Sequence, residues 1–220
     1  MTSTPDLIRA LAGNLSPVRR LRPPVLRAAL WLLLAAAVLV FLAISQGIRS
    51  DLMSRLQDTA FASMIAGAVL TAVTAAIAAF MLSLPDRSKW WLALPLPPLA
   101  FWFSNIGYQC LTRWIVLDPS GMTAGETARC FATVVLTSLP LSLALFLMLK
   151  HSVSLRPMVV AVAGSLSVAS LSAVALFLFH VLDASVLVIM WNMGTAVVIV
   201  GLSSLLAGRY ARRRRFSNIA

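Results

Sequence analysis

The chain contains two cysteines, and both lie where a polar segment meets an apolar one. Residues 107–131 read GYQCLTRWIVLDPSGMTAGETARCF, with Cys110 and Cys130 near the two ends. The thiolate is the form of cysteine that binds metal ions and reacts with oxidants, and a nearby positive charge favours that form. Arg113 follows Cys110 by three residues and would share its face on a continuing helix. This placement favours a reactive or metal-binding pair.

The sequence leaves three interpretations of the pair open. Each cysteine alone is typical of a small apolar residue in a membrane helix. A permanent disulfide across the loop requires Cα atoms roughly 4.4–6.8 Å apart, which the spacing does not establish. Two thiolates and an imidazole would bind a soft ion such as Zn²⁺ or Cd²⁺, although His180 also fits an ordinary helix-end histidine. We expect no resident cofactor, only a transient heavy-metal ion, with the ligands Cys110, Cys130, His180 and Asp183.

Long apolar tracts must position these residues. The chain has 220 residues, of which 60% are hydrophobic and 11% charged, so it is too apolar for an ordinary soluble domain. Apolar residues surround all helical faces of the tracts, which favours membrane helices over barrel strands. The prediction is an all-α, six-transmembrane-helix bundle with spans at about 28–48, 59–85, 90–112, 130–149, 157–182 and 184–208. Prolines at positions 95, 97 and 98 should kink or break the third span.

The basic residues predict the orientation of the bundle. Fourteen of the 18 lie on one side of the six-span arrangement, and the other side holds Arg49, Arg55, Arg113 and Arg129. Both termini should therefore be cytoplasmic, with an N-terminal segment at 1–27, a transmembrane domain at 28–208 and a basic tail at 209–220. The first tract is interpreted as a retained helix rather than a cleaved signal peptide. The net charge of +11 then reflects topology and attraction to anionic lipids, not direct binding of nucleic acid.

Several function classes are disfavoured. The predicted spans contain no charged residue deep in the membrane, whereas ion-coupled transporters generally depend on one. There is no Ser/His or paired-Asp arrangement of an intramembrane protease and no glycine-rich phosphate loop, so we expect the protein not to be an enzyme. A small transporter or channel for a metal or another small solute, with the cysteines at its entrance, stays the alternative.

The N-terminal segment predicts a short amphipathic helix. Thr4 and Pro5 are typical of a helix start, and Pro17 ends the pattern. About twelve residues form a marginal helix in water, so this element needs a surface. The membrane surface and a groove in a partner protein are both open. The apolar face consists of Leu7, Ile8, Leu11 and Leu15.

Almost the whole chain resembles the NrsF-type negative regulators of extracytoplasmic-function sigma factors of the sigma-F group. The N-terminal motif is LIRALAGNLSPVRRLRPP, and the two cysteine motifs are GYQCL and ARCF. Further matches are Pro140-Leu141, Arg156-Pro157, Gly164, the His180 and Asp183 pair, Trp191 and Gly208-Arg209. The chain departs from the pattern at Asn192, where a histidine is expected.

The resemblance implies a multi-pass anti-sigma factor of the bacterial inner membrane. Such a protein holds its cognate sigma factor at the cytoplasmic face and releases it for stress-response transcription when heavy metal or oxidant acts on Cys110 and Cys130. We expect the third and fourth spans, which carry these thiols, to shift against the rest. The expected partners are the sigma factor and membrane lipids, and a homodimer is left open. The partner-binding residues would be Leu7, Ile8, Leu11, Leu15, Arg19 and Arg20.

Overall fold

The computed structural model describes residues 4–13, 22–112, 124–149 and 157–179. All regular structure within these ranges is helical, which confirms the all-α prediction. The helices are α1 (Thr4–Gly13), α2 (Pro24–Gln46), α3 (Leu52–Leu56), α4 (Thr59–Leu82), a 3₁₀ helix (Lys89–Ala93), α5 (Leu96–Thr112), α6 (Ala124–Leu149) and α7 (Pro157–Phe179).

Four helices in the described part of the chain are long and apolar enough to cross a membrane, which indicates a membrane protein. They are Pro24–Gln46, Thr59–Leu82, Phe131–Leu149 and Pro157–Phe179. They correspond to the first, second, fourth and fifth predicted spans. The sixth predicted span, 184–208, and the basic tail lie outside the described residues.

Helices α2 and α4 begin and end where local chemistry favours it. Pro24 opens α2, because its fixed φ and missing N–H suit the first turn. Gly47 follows the last residue of α2 with φ 78°, a conformation that residues with a Cβ rarely adopt. The side chain of Asp58 caps α4 by accepting a hydrogen bond from the main-chain N–H of Ala60 at 3.0 Å. The short helix α3 lies between these two caps and was not predicted from the sequence.

Helices α4 and α7 form the centre of the bundle, and the other spans pack around them. Both carry many small side chains, so their backbones approach closely. The hydroxyl of Ser167 donates to the main-chain carbonyl of Ala72 at 2.6 Å, which joins the two helices directly. Helix α5 packs on α4, whereas α6 packs on α7 and α2. The main core cluster combines α2, α4, α6 and α7 and includes Trp31, Phe80 and Leu141, all fully buried.

The third predicted span is not one continuous helix. Its first residues form the 3₁₀ helix, the chain turns at Leu94 and Pro95, and α5 begins at Leu96 with 17 residues. The predicted break therefore occurs, because Pro95 has no main-chain N–H to continue a helical ladder. Pro97 and Pro98 lie in the first turn of α5, where missing N–H groups cost nothing.

Candidate functional site

The positions of both cysteines lie at one end of the helical bundle. Cys110 is in the last turn of α5, and Cys130 is in the second turn of α6. Two polar contacts fix these helix ends to their neighbours. The hydroxyl of Ser63, in the first turns of α4, donates to Asn105 Oδ1 of α5 at 2.9 Å. Helices α2 and α5 end, and helices α4 and α6 begin, at this end of the bundle. We call it the cysteine end.

The second polar contact joins α6 to the end of α2. The Thr133 hydroxyl is 2.9 Å from Oε1 of Gln46, the last residue of α2. Thr133 follows Cys130 by three residues, so the two positions are neighbours on the helix surface. A change in the position of α6 near Cys130 therefore bears directly on α2.

The two helices that carry the cysteines are held in different ways. Helix α5 crosses α4 at Gly67, where a Cβ atom would lie 2.9 Å from Trp102 Cβ and 3.1 Å from its Cα. Helix α6 crosses α7 at Gly164, where a Cβ atom would meet only the end of a side chain, Leu145 Cδ2, at 2.6 Å. The first crossing is fixed backbone against backbone, and the second has a flexible side chain between the helices.

An ion pair between a buried arginine and a partly exposed aspartate lies at the cysteine end beside α7. Arg49 donates from Nε and Nη2 to the two carboxylate oxygens of Asp51, both at 2.7 Å, with its side chain only 2% exposed. Its guanidinium carbon also lies 5.6 Å from the centre of the Phe61 ring. The main-chain N–H of Arg49 donates to the carbonyl of Leu178, near the end of α7, at 3.2 Å.

The surroundings of Asp51 strongly favour its charged form. Hydrogen bonds from Arg49 lower the pKa of Asp51 to about 2 from an ordinary value of 3.8, and the charge of Arg49 acts in the same direction. Arg55 approaches the same carboxylate, with its Nε 3.6 Å from Oδ2. The sequence alone assigns Arg49 and Arg55 only to a side of the membrane. An arginine and an aspartate two residues apart after a helix-ending glycine were the available signal.

A second buried arginine lies at the opposite end of the bundle. Arg27 is in the first turn of α2 and is 6% exposed. Its Nη2 donates to the main-chain carbonyl of Met148 in the last turn of α6, and its guanidinium carbon is 5.3 Å from the centre of the Phe80 ring. Its Nη1 is buried and has no hydrogen-bond partner among the described residues. We call this the Arg27 end. The sequence alone predicts Arg27 in the cytoplasmic segment, 1–27, before the first span.

Comparison with known proteins identifies the family. The family model of NrsF, described as the negative regulator of sigma F, matches residues 11–212, nearly the whole chain. The chain belongs to the NrsF family. No curated protein and no solved structure matches it. The family description is that of a regulator, not of an enzyme, and it implies a sigma factor as the partner.

The predicted sensing residues of this NrsF-family chain are only partly within the described structure. The positions of Cys110 and Cys130 share one end of the bundle, but His180 and Asp183 lie outside the described residues, as does Asn192. Among the side chains that the structure describes, there is no cluster of three or more potential metal ligands. The four-residue metal site stays a prediction.

The predicted docking helix is present as α1. It spans Thr4–Gly13, so Leu7, Ile8 and Leu11 all belong to it. The side chain of Ile8 is 61% exposed, which leaves apolar surface free for another surface to cover. Asp6 and Arg9 form an exposed ion pair at 3.9 Å one turn apart. Leu15, Arg19 and Arg20 lie outside the described residues.

Proposed function

We propose that this protein is a membrane-bound anti-sigma factor that sequesters an extracytoplasmic-function sigma factor of the sigma-F group. It releases that sigma factor when heavy metal or oxidant acts on Cys110 and Cys130. The observation that carries the proposal is the family match over residues 11–212, since the family is described as a negative regulator of sigma F. Helices long enough to cross a membrane support the view that regulation acts across a bilayer.

The proposed topology has six spans in the bacterial inner membrane, with both termini in the cytoplasm. Charge distribution supports it. Arg27, Arg87 and Lys89 all lie at the Arg27 end or in the segment that follows α4 there. Cytoplasmic ends of membrane helices carry an excess of basic residues. The cysteine end then faces the periplasm, an oxidising compartment that incoming metal ions also reach.

The proposed sensing chemistry uses both thiols. With an oxidant of the diamide class, the two thiols lose two electrons and two protons to the oxidant and form one S–S bond. With Cd²⁺ or Zn²⁺, both thiols lose their protons to solvent and bind the ion, and His180 and Asp183 would complete its ligand set. Either event shifts the equilibrium between two conformations of the bundle. A shift of about 3 kcal/mol in this equilibrium changes partner affinity about 150-fold.

The proposed cytoplasmic contact is made by α1 and the residues after it. Exposed Ile8 supports an apolar contact in which α1 lies in a groove of the sigma factor. The contact residues would be Leu7, Ile8, Leu11, Leu15, Arg19 and Arg20. Membrane lipids cover the outward faces of the spans, whose exposed side chains are mainly Leu, Val and Phe.

The decisive experiment is affinity purification of the full chain from its native cells in mild detergent, followed by mass spectrometry. We expect a sigma factor to co-purify and to elute when cadmium or diamide is added. Cys110→Ser and Cys130→Ser should each retain the sigma factor in the presence of either agent. Purification of the intact protein without any sigma factor would contradict the proposal and favour the transporter alternative, which vesicle flux assays then test.

The docking segment is tested in the same purification. Ile8→Gln places an amide on the apolar face and should lower recovery of the sigma factor by about tenfold, the effect of losing one anchor of roughly 1.4 kcal/mol. Arg9→Gln is the matched control, because Arg9 is on the opposite face and should leave recovery unchanged. Equal recovery with both variants would move the contact to another cytoplasmic segment.

A further inference from the structure

Helices α2 and α6 are connected by side-chain hydrogen bonds along their whole length. At the cysteine end, Thr133 of α6 bonds to Gln46 of α2 at 2.9 Å. In the middle, the fully buried Trp31 of α2 donates from Nε1 to the carbonyl of Leu141 at 3.2 Å. At the Arg27 end, Arg27 donates to the carbonyl of Met148. These three contacts define the α2–α6 interface.

The contact at Arg27 satisfies a carbonyl that α6 cannot satisfy by itself. Met148 is the penultimate residue of α6. The last four carbonyls of a helix have no N–H partner within that helix. An unsatisfied carbonyl is especially costly near the membrane interior, where water is scarce. The guanidinium also places a positive charge at the negative end of the helix dipole. Arg27 therefore holds the last turn of α6 against the first turn of α2.

This contact is incomplete, unlike the ion pair at the cysteine end. Nη1 of Arg27 is buried without a hydrogen-bond partner among the described residues. A buried donor without a partner costs free energy, so the bound arrangement is only partly favourable. An alternative position in which the guanidinium reaches water or lipid phosphate satisfies that donor. The arrangement has the properties of a contact that can open.

The contact of Arg27 lies close to the docking helix along the chain. Arg27 is in the first turn of α2, which is the first helix after α1 among the described residues. The other end of the α2–α6 interface lies beside the position of Cys130. Helix α5 is instead fixed to α4 at Gly67 and Ser63. Of the two helices that carry the cysteines, α6 is thus the one connected to the N-terminal segment.

We propose that the α2–α6 interface transmits the signal, and that the contact of Arg27 with Met148 is the regulatory contact that opens when the sigma factor is released. This inference rests on the proposed function and adds the route through the membrane. While the contact is closed, the first turn of α2 keeps the position that retains the partner. When α6 moves, the contact opens and the first turn of α2 changes its position.

The first test uses a sigma-F-group promoter reporter in cells without metal or oxidant. Arg27→Met keeps an unbranched side chain but removes every donor, and we expect reporter activity to rise at least about tenfold, within the range of single coupling contacts. Arg27→Lys retains a cation that can reach the carbonyl and should stay closer to wild type. Arg87→Met is the matched control, because it removes the same charge from an exposed position in the segment after α4 and should leave the reporter at its basal level.

The second test measures hydrogen exchange of the purified full-length variants in detergent. In Arg27→Met, the amides of the last turn of α6, residues 145–149, should exchange at least about tenfold faster, and those of α4 and α7 should be unchanged. Faster local exchange together with a raised reporter supports the proposal. Faster local exchange with a basal reporter overturns it, and so does a reporter that rises only because the variant is lost from the membrane.

A milder variant decides the question if Arg27→Met does not fold. Trp31→Phe removes the donor to Leu141 and part of the buried ring but leaves Arg27 in place, and it should raise the reporter in the same direction by a smaller factor. An unchanged reporter then overturns the proposal. Deletion of the whole chain separates the two levels of inference. If deletion raises the reporter and Arg27→Met does not, the regulatory contact is wrong and the anti-sigma function stands. If deletion leaves the reporter unchanged, both fail.

Discussion

Two buried arginines lie at opposite ends of the same bundle, and their surroundings differ. Each is 6% exposed, and each has its guanidinium over a phenylalanine ring, at 5.6 Å for Arg49 and 5.3 Å for Arg27. Arg49 has a carboxylate partner with two hydrogen bonds, whereas Arg27 has one main-chain carbonyl and a buried nitrogen without a partner among the described residues. The two arginines are therefore equally buried but have very different hydrogen-bond partners.

The different partners of the two arginines indicate which parts of the bundle are held rigidly. The bidentate pair of Arg49 with Asp51 combines charge with a fixed geometry within the segment after α2. The main-chain N–H of Arg49, which donates to the carbonyl of Leu178, joins that segment to α7. A single bond to a neutral carbonyl is weaker and less directional. The helix crossings follow the same pattern, with the rigid contact at Gly67 in the half near the cysteine end and the adaptable one at Gly164 in the other half. We infer that α5 and the segment after α2 are firmly held at the cysteine end, whereas α6 is adaptable and the Arg27 end can open.

The largest expected effect comes from removal of the carboxylate. Asp51→Asn removes the charge that accepts two hydrogen bonds from the buried Arg49 guanidinium, and loss of such a charge-assisted bidentate pair is destabilising. Its melting temperature in detergent, followed by tryptophan fluorescence, should fall further than that of any other variant described here. Asp86→Asn, the same change in an exposed loop, is the control and should melt like wild type. Equal melting temperatures for the two variants would contradict a firm cysteine end.

A smaller effect is expected at the two helix crossings. Gly67→Ala forces α5 away from α4, because the new methyl group meets Cβ and Cα of Trp102. The expected loss is about 1–3 kcal/mol in the free energy of unfolding. Gly164→Ala meets only Leu145 Cδ2, which can rotate away, so its loss should be clearly smaller. Denaturant titration of both variants measures the difference, and the opposite order would reverse the assignment of the firm half.

An ion pair that is exposed on both sides should contribute far less than the pair of Arg49 with Asp51, whose arginine is buried. Asp6 and Arg9 have side chains that are 63% and 83% exposed, at a distance of 3.9 Å. Water screens such pairs, and their contribution to stability is small. Asp6→Asn should therefore leave the melting temperature within experimental error of wild type. A fall comparable with that of Asp51→Asn would show that burial does not explain the difference between the two pairs.

Acidification should leave the Arg49 pair intact over most of the accessible range. The pKa of Asp51 is lowered to about 2 from 3.8, so its contribution to stability is complete above 3.8 and is lost as the pH falls towards 2. The difference in melting temperature between wild type and Asp51→Asn should be constant from about pH 7 to pH 5 and should shrink only below about pH 4. A difference that disappears by pH 5 would contradict the strength of this pair.

Much of the architecture follows from the amino-acid sequence alone. Long apolar tracts without charge can be stable only as helices in a membrane, because every main-chain polar group is then satisfied within its own helix. Pro95 determines the break before α5, and Gly47 determines where α2 ends. The same reasoning predicts α1 from Thr4, Pro5 and the leucine spacing. These features depend on neighbours along the chain, which the sequence lists directly.

The burial of the two arginines was decided only by the tertiary structure. In the sequence, Arg27 and Arg49 both appear as basic residues flanking the first span. Asp51, two residues after Arg49, indicates the partner of that arginine, but nothing local indicates the partner of Arg27. Met148 and Phe80, which contact Arg27, are distant from it in the chain, and Leu178 is distant from Arg49. Hydrophobic patterning determines which residues enter the bundle. The crossing points of its helices decide which main-chain carbonyl each arginine meets, because hydrogen bonds act only over short distances.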